Sequence, residues 1–400
     1  MSQWARRLRE GLRTGFWAVP ALCVLLALAL AIGLVAVDRH AEASTDRPFT
    51  FGAGPDGARE VLSAITSSMI TFTGLVFSIT IIVLQLTSSQ FSPRVLRTFL
   101  RDRQTQLSLG VFVATFVYAL MVLRVVNGGS DETFVPAIAT TFGVALLLLS
   151  VGMFVAYIHH VATAIQVSSV IAAIGAEATS TLERCLPASA PAVRRAGNPA
   201  PASAAVTLEL PSRRSGVVSF VDIPALVREA ERADVVLSCR VALGSYVPEG
   251  SALLAVAGPA EGVDARACLR AIAVTRDRSM AQDVAFGLRQ LVDIAERALS
   301  PSTNDPTTAV QVLDELHNLL RRLATRPLPD GDRRDAAGAV RLRLPAMSFA
   351  AYLHLALDEI SQYGSESKQV SARVAALLDE LAACALPSQR AVIEHYRRAG

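Results

Sequence analysis

Residues 61–86 read VLSAITSSMITFTGLVFSITIIVLQL, with no charged side chain from end to end. As a helix this stretch rises about 39 Å, more than the ~30 Å hydrocarbon core of a bilayer. It reads as a membrane span. Trp17 to Val37, Leu107 to Leu123 (closing on Arg124) and Phe134 to Ile158 are equally free of charge, so four spans fall in the first 160 residues. In a 400-residue chain that is 52% hydrophobic and 18% charged, this excludes a disordered protein and argues against a purely cytosolic enzyme. Two readings of the first span compete. Arg6, Arg7, Arg9 and Arg13 precede it and Ala41-Glu42-Ala43 follows, the pattern of a cleaved signal peptide. Its apolar run exceeds the ~7–15 residues of such a peptide, which favours a retained anchor.

Arginine placement predicts orientation, because Lys368 is the only lysine. Four arginines precede the first span, and Arg94, Arg97, Arg101 and Arg103 lie between the second and third. The loop from Asp38 to Glu60 holds three arginines against five acids, and Asn127 to Thr133 carries only Asp131 and Glu132. Both termini are expected on the cytoplasmic side of a bacterial inner membrane. No Lys or Arg occurs between Val125 and Glu183, so the fourth span exits without a positive marker. Ser92-Pro93 reads as an N-cap and first helical residue, with Arg94, Arg97 and Arg101 on one side and Val95, Leu96, Phe99 and Leu100 on the other. An interfacial helix and a polar connector both fit.

Past Ile158 only Gly175 interrupts the chain before Pro187, so the fourth span is expected to run on as one helix. Ile158, Ile165, Ile171, Ile174, Ala178 and Leu182 offer it a packing seam. The expected organisation is a transmembrane domain with its helical extension (residues 1–186) and an Ala/Pro/Arg linker (187–214). A barrel-sandwich-like β module (215–260) and a mainly helical cytoplasmic domain (261–400) complete it. The fold class is thus membrane α-helical followed by a cytoplasmic α+β region. The β module rests on three short strands, Gly216-Val-Val-Ser-Phe-Val221, Val235-Val-Leu-Ser-Cys-Arg-Val241 and Ala252-Leu-Leu-Ala-Val256, and on the turn-rich Gly244-Ser-Tyr-Val-Pro-Glu-Gly250. These offsets resemble the biotinyl/lipoyl-like hairpin. A carrier needs a lysine at the hairpin tip and none occurs, so a passive structural module remains. A further strand is expected at Val340-Arg-Leu-Arg-Leu344.

The polar groups of residues 61–86 are periodic. Thr66, Thr73, Thr80 and Thr87 recur every seven residues, as do Thr71, Ser78 and Gln85. On a helical wheel they share a broad arc with Ser63, Ser67, Gly74, Ser88 and Ser89. Ile65, Phe72, Leu75, Val76, Ile79, Ile82, Val83 and Leu86 take the other arc. Hydroxyls glue helices by close approach and hydrogen bonding, or they line a hydrated path. Thr66, Thr71, Thr73, Ser78, Thr80 and Gln85 are the candidate path-lining residues. No acidic or basic residue lies inside a span, which disfavours proton-coupled transport.

Arg289, Asp293 and Arg297 stand at i, i+4 and i+8, ordinarily a helix-surface salt-bridge row. Ala298-Leu-Ser-Pro-Ser-Thr-Asn-Asp-Pro-Thr-Thr-Ala309 then predicts a helix ending before Pro301 and another capped by Asp305 and opened by Pro306. Arg289, Asp293, Arg297, Ser300, Asn304, Asp305 and Thr308 form a candidate corner for a ligand or partner, with Ser302 in the same turn. The competing reading is a corner whose polar groups satisfy their own backbone. His159-His160 point about 100° apart on a helix, a poor arrangement for one metal ion. Five scattered cysteines, without a CxxC pair, argue against disulfides and zinc. The net charge of +3 implies no broad nucleic-acid surface. No catalytic triad spacing, P-loop, GxGxxG or HExxH occurs, so neither enzyme activity nor a cofactor is expected. The expected partners are the lipid bilayer and further copies of the chain.

Several longer blocks carry a resemblance. They are Ser68-Met-Ile-Thr71, Phe77-Ser-Ile-Thr80, Leu84-Gln-Leu86 and Ser88-Ser-Gln-Phe-Ser-Pro-Arg94, then Gly110-Val-Phe112, Thr115-Phe-Val-Tyr118, Ile158-His-His-Val161 and Tyr246-Val-Pro-Glu-Gly250. Gly287-Leu-Arg-Gln-Leu-Val-Asp-Ile-Ala295, Ala298-Leu-Ser-Pro301 and Asn304-Asp-Pro-Thr-Thr-Ala309 complete them. Together they resemble a bacterial family of predicted membrane proteins known as domain of unknown function twenty-two fifty-four. The resemblance spans nearly the whole chain. It implies an integral inner-membrane protein of four spans with a cytoplasmic domain, and it brings no activity or catalytic residue. The functional expectation is an oligomeric, channel-like or transport-related protein. A non-conducting scaffold or sensor, binding a partner or small ligand, is the alternative.

Overall fold

The computed structural model describes residues 17–41, 54–90, 103–128, 133–186 and 206–399. The N-terminal arginines, the Ser92–Arg101 stretch and most of the expected linker lie outside these residues. Two compact units are present, Met1–Gln166 and Val167–Gly400.

The first unit holds helices α1 (Ala18–Ala41), α2 (Pro55–Gln90), α3 (Arg103–Leu123) and α4 (Ala137–Ala164). Four stretches, Ala18–His40, Pro55–Gln85, Arg103–Val125 and Ala137–Thr163, are long and apolar enough to cross a membrane. They match the four expected spans. Pro55 opens α2, where its missing N–H costs nothing and its fixed φ suits the first turn. At 36 residues α2 is about 54 Å long, so it outruns a ~30 Å hydrocarbon core. Strands β1 (Asn127–Gly128) and β2 (Thr133–Phe134) pair antiparallel between α3 and α4.

Close approach of α1 and α3 depends on Gly110, where an added β-carbon would lie 3.2 Å from the Pro20 Cα and 3.0 Å from the Cys23 sulfur. Ala27, Ala31, Leu62, Ile65, Met69, Tyr118 and Val122 form one packed cluster. Val76, Leu109, Phe112 and Tyr157 form a second. Phe72 stacks on Phe154 at 4.9 Å with Phe112 edge-on to Phe154 at 6.3 Å, an arrangement that adds about 0.5–1.5 kcal/mol per pair. The Tyr118 hydroxyl donates to the Ala139 carbonyl at 2.8 Å.

The fourth span does not run on as one helix. It ends at Ala164, and a new helix, α5 (Val167–Cys185), begins after Ile165-Gln166. The Thr163 hydroxyl donates to the His159 and His160 carbonyls, and the Gln166 N–H bonds to the Thr163 carbonyl, tightening the last turn. The unit boundary accordingly lies at Gln166/Val167 rather than at 186. Helix α5 buries Val170, Ile171, Ile174, Ala178 and Leu182 within the second unit.

In that unit the strands are β3 (Val206–Pro211), β4 (Gly216–Val221), β5 (Val236–Cys239), β6 (Tyr246–Val247), β7 (Ala252–Ala257) and β8 (Ile272–Thr275), then β9 (Asp332–Arg334) and β10 (Val340–Arg343). One sheet has the order β3-β7-β5-β10-β9 and the other β6-β4-β8. Only β5 and β10 pair in parallel, with Leu342 opposite Leu237; the rest of the pairing is antiparallel. Both sheets share one core that includes Leu210, Val218, Leu237, Val247, Leu254, Val274 and Leu342. Two expectations change here. Val206–Pro211 is a strand, not linker, because alternate side chains such as Leu210 enter this core. Residues 215–260 are not a self-contained barrel sandwich: their strands are divided between two sheets, and the larger sheet is completed by β3, β9 and β10 from outside that stretch.

Helices α6 (Ile223–Arg232) and α7 (Ala265–Arg270) flank the sheets, and α8 (Val284–Leu299), α9 (Pro306–Ala324), α10 (Phe349–Tyr363), α11 (Lys368–Cys384) and α12 (Pro387–Ala399) form the helical part. Helix α8 is central, buried from Val284 to Ala298 on most of its surface. It starts where the Asp283 carboxylate accepts the Phe286 N–H and pairs with Arg278.

Candidate functional site

Among the described residues of α2 the buried positions are Ala58, Leu62, Ile65, Met69, Val76 and Val83, and Leu62, Met69, Val76 and Val83 stand seven apart. That face packs on α3 and α4. The single arc of polar groups expected from sequence splits into two rows. Thr66, Thr73 and Thr80 lie beside the packed face and are half-buried; Thr80 Oγ1 is 2.8 Å from the Tyr157 hydroxyl. Thr71, Ser78 and Gln85 point the opposite way and are exposed, together with Ser63, Ser67 and Gly74. Exposed Ile70, Phe77 and Ile81 run between the rows.

Five of these hydroxyls donate to the carbonyl four residues before them: Thr66 to Leu62 and Thr73 to Met69 at 2.7 Å, Thr71 to Ser67 at 3.2 Å, Ser78 to Gly74 at 2.9 Å, and Thr80 to Val76 at 2.7 Å. The donors are therefore satisfied inside the helix, and the oxygens keep lone pairs to offer. Thr115 Oγ1 and Ser150 Oγ, 3.0 Å apart and buried between α3 and α4, form a further hydroxyl pair that sequence reading missed. The partners lie 35 and 77 residues apart in the two hydroxyl pairs, so no local pattern announces them.

In the second unit the structure separates the predicted corner into two places. Arg289 sits mid-helix on α8. Its Nε donates to Asp293 Oδ1 at 2.6 Å, its Nη2 to Glu296 Oε2 at 2.9 Å, and its Nη1 to Glu359 of α10. One guanidinium thus holds three carboxylates. Burial and the neighbouring Glu359 carboxyl keep the Glu296 pKa above the usual carboxylate range, against the opposing pull of Arg289. Glu296 and Glu359 were not among the expected site residues; Glu296 at i+7 from Arg289 was available to helical spacing, while Glu359 was not.

The turn after α8 is a closed network. Ser300 donates to the Arg297 carbonyl at 2.7 Å and lies 3.2 Å from the Ser302 hydroxyl. Asn304 adopts a positive φ of 46°, which its short polar side chain tolerates. Asp305 caps α9, accepting the Thr308 N–H at 3.1 Å and the Thr308 hydroxyl at 2.6 Å, and these bonds lower its pKa. Ser300, Asp305 and Thr308 are thus engaged by their own turn. Arg297 is exposed and, from the middle of the same helix, Arg289 faces α10 instead.

Helix α5 is tied down by a second network. Arg326 donates from Nη2 to Glu183 Oε1 at 3.0 Å and from Nη1 to the Leu186 carbonyl, and Arg322 reaches the same carboxylate at 2.7 Å. The Arg326 bond is the main reason the Glu183 pKa is lowered. His317 is kept toward its neutral form by burial, and its Nδ1 lies 3.0 Å from Arg373 Nη2, which donates to it. Cys239 and Cys268 lie in the sheet core, where burial pushes their thiols up to about 12 and about 11.

Residues 13–380 match the family model described as "Predicted membrane protein (DUF2254)". The chain is 36% identical over 391 residues to uncharacterised protein Mb1321c of Mycobacterium bovis, a match covering 96% of this chain and 75% of the relative. Uncharacterised proteins MT1328 and Rv1290c of Mycobacterium tuberculosis match with the same identity and coverage. No solved structure matches. With four membrane-length helices, an α/β second unit and a family match over nearly its whole length, the chain belongs to the DUF2254 family of predicted membrane proteins.

Proposed function

We propose that the protein is a homo-oligomeric, channel-like protein of the bacterial inner membrane, in which α2 helices from several copies face one another around a neutral, hydroxyl-lined path. The observation that carries this is the outward row Ser63, Ser67, Thr71, Gly74, Ser78 and Gln85, which lies opposite the packed Leu62–Met69–Val76–Val83 face. A surface meeting only acyl chains gains nothing from small and hydroxyl side chains, whereas helix contacts and hydrated paths both use them. Thr66, Thr73 and Thr80 then support the helix from behind rather than line the path. The arginine asymmetry orients both termini and the second unit toward the cytoplasm. No chemical reaction is assigned to the protein.

One observation favours a non-conducting scaffold instead: the Thr71 and Ser78 hydroxyls of the row already have intrahelical acceptors, so neither requires water. The two readings separate experimentally. Single cysteines at Ser67 and Ser78 should form intermolecular disulfides in membranes in either case. Water-soluble thiol reagents should reach them, and reconstituted liposomes should show flux that Ser78→Leu abolishes with the oligomer intact, only if a path exists. Unreactive cysteines together with flux-free wild-type liposomes would refute the channel. Labelling of a cysteine at Gly331 from outside intact cells would refute the orientation.

A further inference from the structure

Between α1 and α3 the first unit carries a surface groove of about 290 Å³. Ala31, Ile32, Val35 and Ala36 of α1 and Met121 and Val125 line it, and Arg39 stands at one end. Ala31 and Val35 are buried and make the floor, while Ile32 is 63% exposed and makes a wall. The volume is at the lower limit of compact ligand pockets, ~300–1,000 Å³, which suits a narrow chain better than a bulky molecule. From Ala31 to Arg39 the helix rises about 12 Å, close to the ~15 Å depth of one leaflet. Arg39 lies in the last turn of the apolar stretch Ala18–His40, where a long cationic side chain meets the headgroup layer.

The charge at that end is available. Asp38, the adjacent acid, is buried, and its carboxylate is taken up by the N–H groups of Ile138 and Ala139. Among the described residues no carboxylate pairs with Arg39; its guanidinium carbon lies 5.6 Å from the centre of the Phe134 ring, which steadies it without neutralising it. An apolar slot one leaflet deep, ending in an exposed guanidinium, has the two chemistries of a single kind of molecule.

We infer that this groove binds one anionic phospholipid, with an acyl chain along Ala31–Ala36 and the phosphate on Arg39. The inference needs the chain to sit in a bilayer but not that copies associate or conduct, so it survives failure of the channel reading.

The test uses the full chain in mild detergent, loaded with phosphatidylglycerol or with phosphatidylcholine, and counts retained lipid by native mass spectrometry. Wild-type protein should retain phosphatidylglycerol several-fold over phosphatidylcholine. Arg39→Gln should bring that ratio close to one, Arg39→Lys should keep most of it, and Ala36→Phe, filling the slot, should reduce retention of both lipids. Val125→Phe, on the facing wall, repeats the steric arm if Ala36→Phe folds poorly. Undiminished preference in Arg39→Gln, undiminished retention in the phenylalanine variants, or displacement by excess inorganic phosphate alone would overturn the proposal; the last would mark a free-anion site.

Discussion

The carboxylate of Asp38, near the end of α1, accepts the backbone N–H of Ala139 in the first turn of α4 at 2.9 Å, and that of Ile138 at 3.1 Å. Two of the N–H groups that a helix start leaves open are thereby satisfied by another span, with the charge at the positive end of the helix dipole. Asp38→Ala should cost about 1–2 kcal/mol, as lost caps do, and Asp38→Asn should cost less because it keeps one acceptor. Thermal unfolding of the detergent-solubilised protein reads the difference; equal melting temperatures for wild type and Asp38→Ala would contradict the capping role.

Gly287 of α8 lies so close to α5 that an added β-carbon would stand 2.6 Å from the Ala178 β-carbon. Gly287→Val should therefore force the two helices apart, at a cost of about 1–3 kcal/mol. Limited proteolysis should then cut α5 faster than in wild type. Ala178→Gly in the same chain should restore part of the protection to the milder Gly287→Ala variant, since it removes the opposing carbon.

The hairpin glycines separate two kinds of cost. Gly250 has φ +83° with nothing within 4 Å of an added β-carbon, whereas at Gly244, φ +81°, that carbon would fall on Asp283 and Arg278. Gly250→Ala should lose about 1 kcal/mol through the backbone alone. Gly244→Ala should lose clearly more, because it also breaks the Arg278–Asp283 pair that starts α8. Matching melting temperatures for the two variants would show that the pair is unimportant.

Glu296 supplies a pH dependence of definite sign. Its folded-state pKa is raised, so the folded chain holds its proton more tightly than the unfolded chain. The stability it contributes is present below the ordinary carboxylate pKa and is lost as pH rises through the raised value. Asp305, whose pKa is lowered, works in the opposite sense and loses its contribution as pH falls. Glu296→Gln should flatten the decline in melting temperature on the alkaline side of the carboxylate range, and Asp305→Asn should flatten the acid side. Superimposable pH profiles for Glu296→Gln and wild type would remove Glu296 from this role.

The spans were legible because a bilayer imposes a one-dimensional demand, some twenty consecutive apolar residues, that each segment meets by itself. The turn at Ser300–Thr308 was legible for a similar reason: Asp305-Pro306 and Asn304 act on their own backbone. The strand at Val340–Arg343 was visible as alternation. What the sequence could not assign was which side chains meet across separate elements. The hydroxyl arc of α2 divided only when Leu62, Met69, Val76 and Val83 turned inward, leaving Thr80 on Tyr157 and Ser78 outside. Val206–Pro211, at the end of the expected linker, became a strand because Leu210 found a core assembled from both sheets, and the salt-bridge row on α8 became a half-buried cluster because α10 brought Glu359 to Arg289. Local composition and periodicity fix what a segment becomes; burial depends on the partner it packs against, and that partner can lie anywhere in the chain.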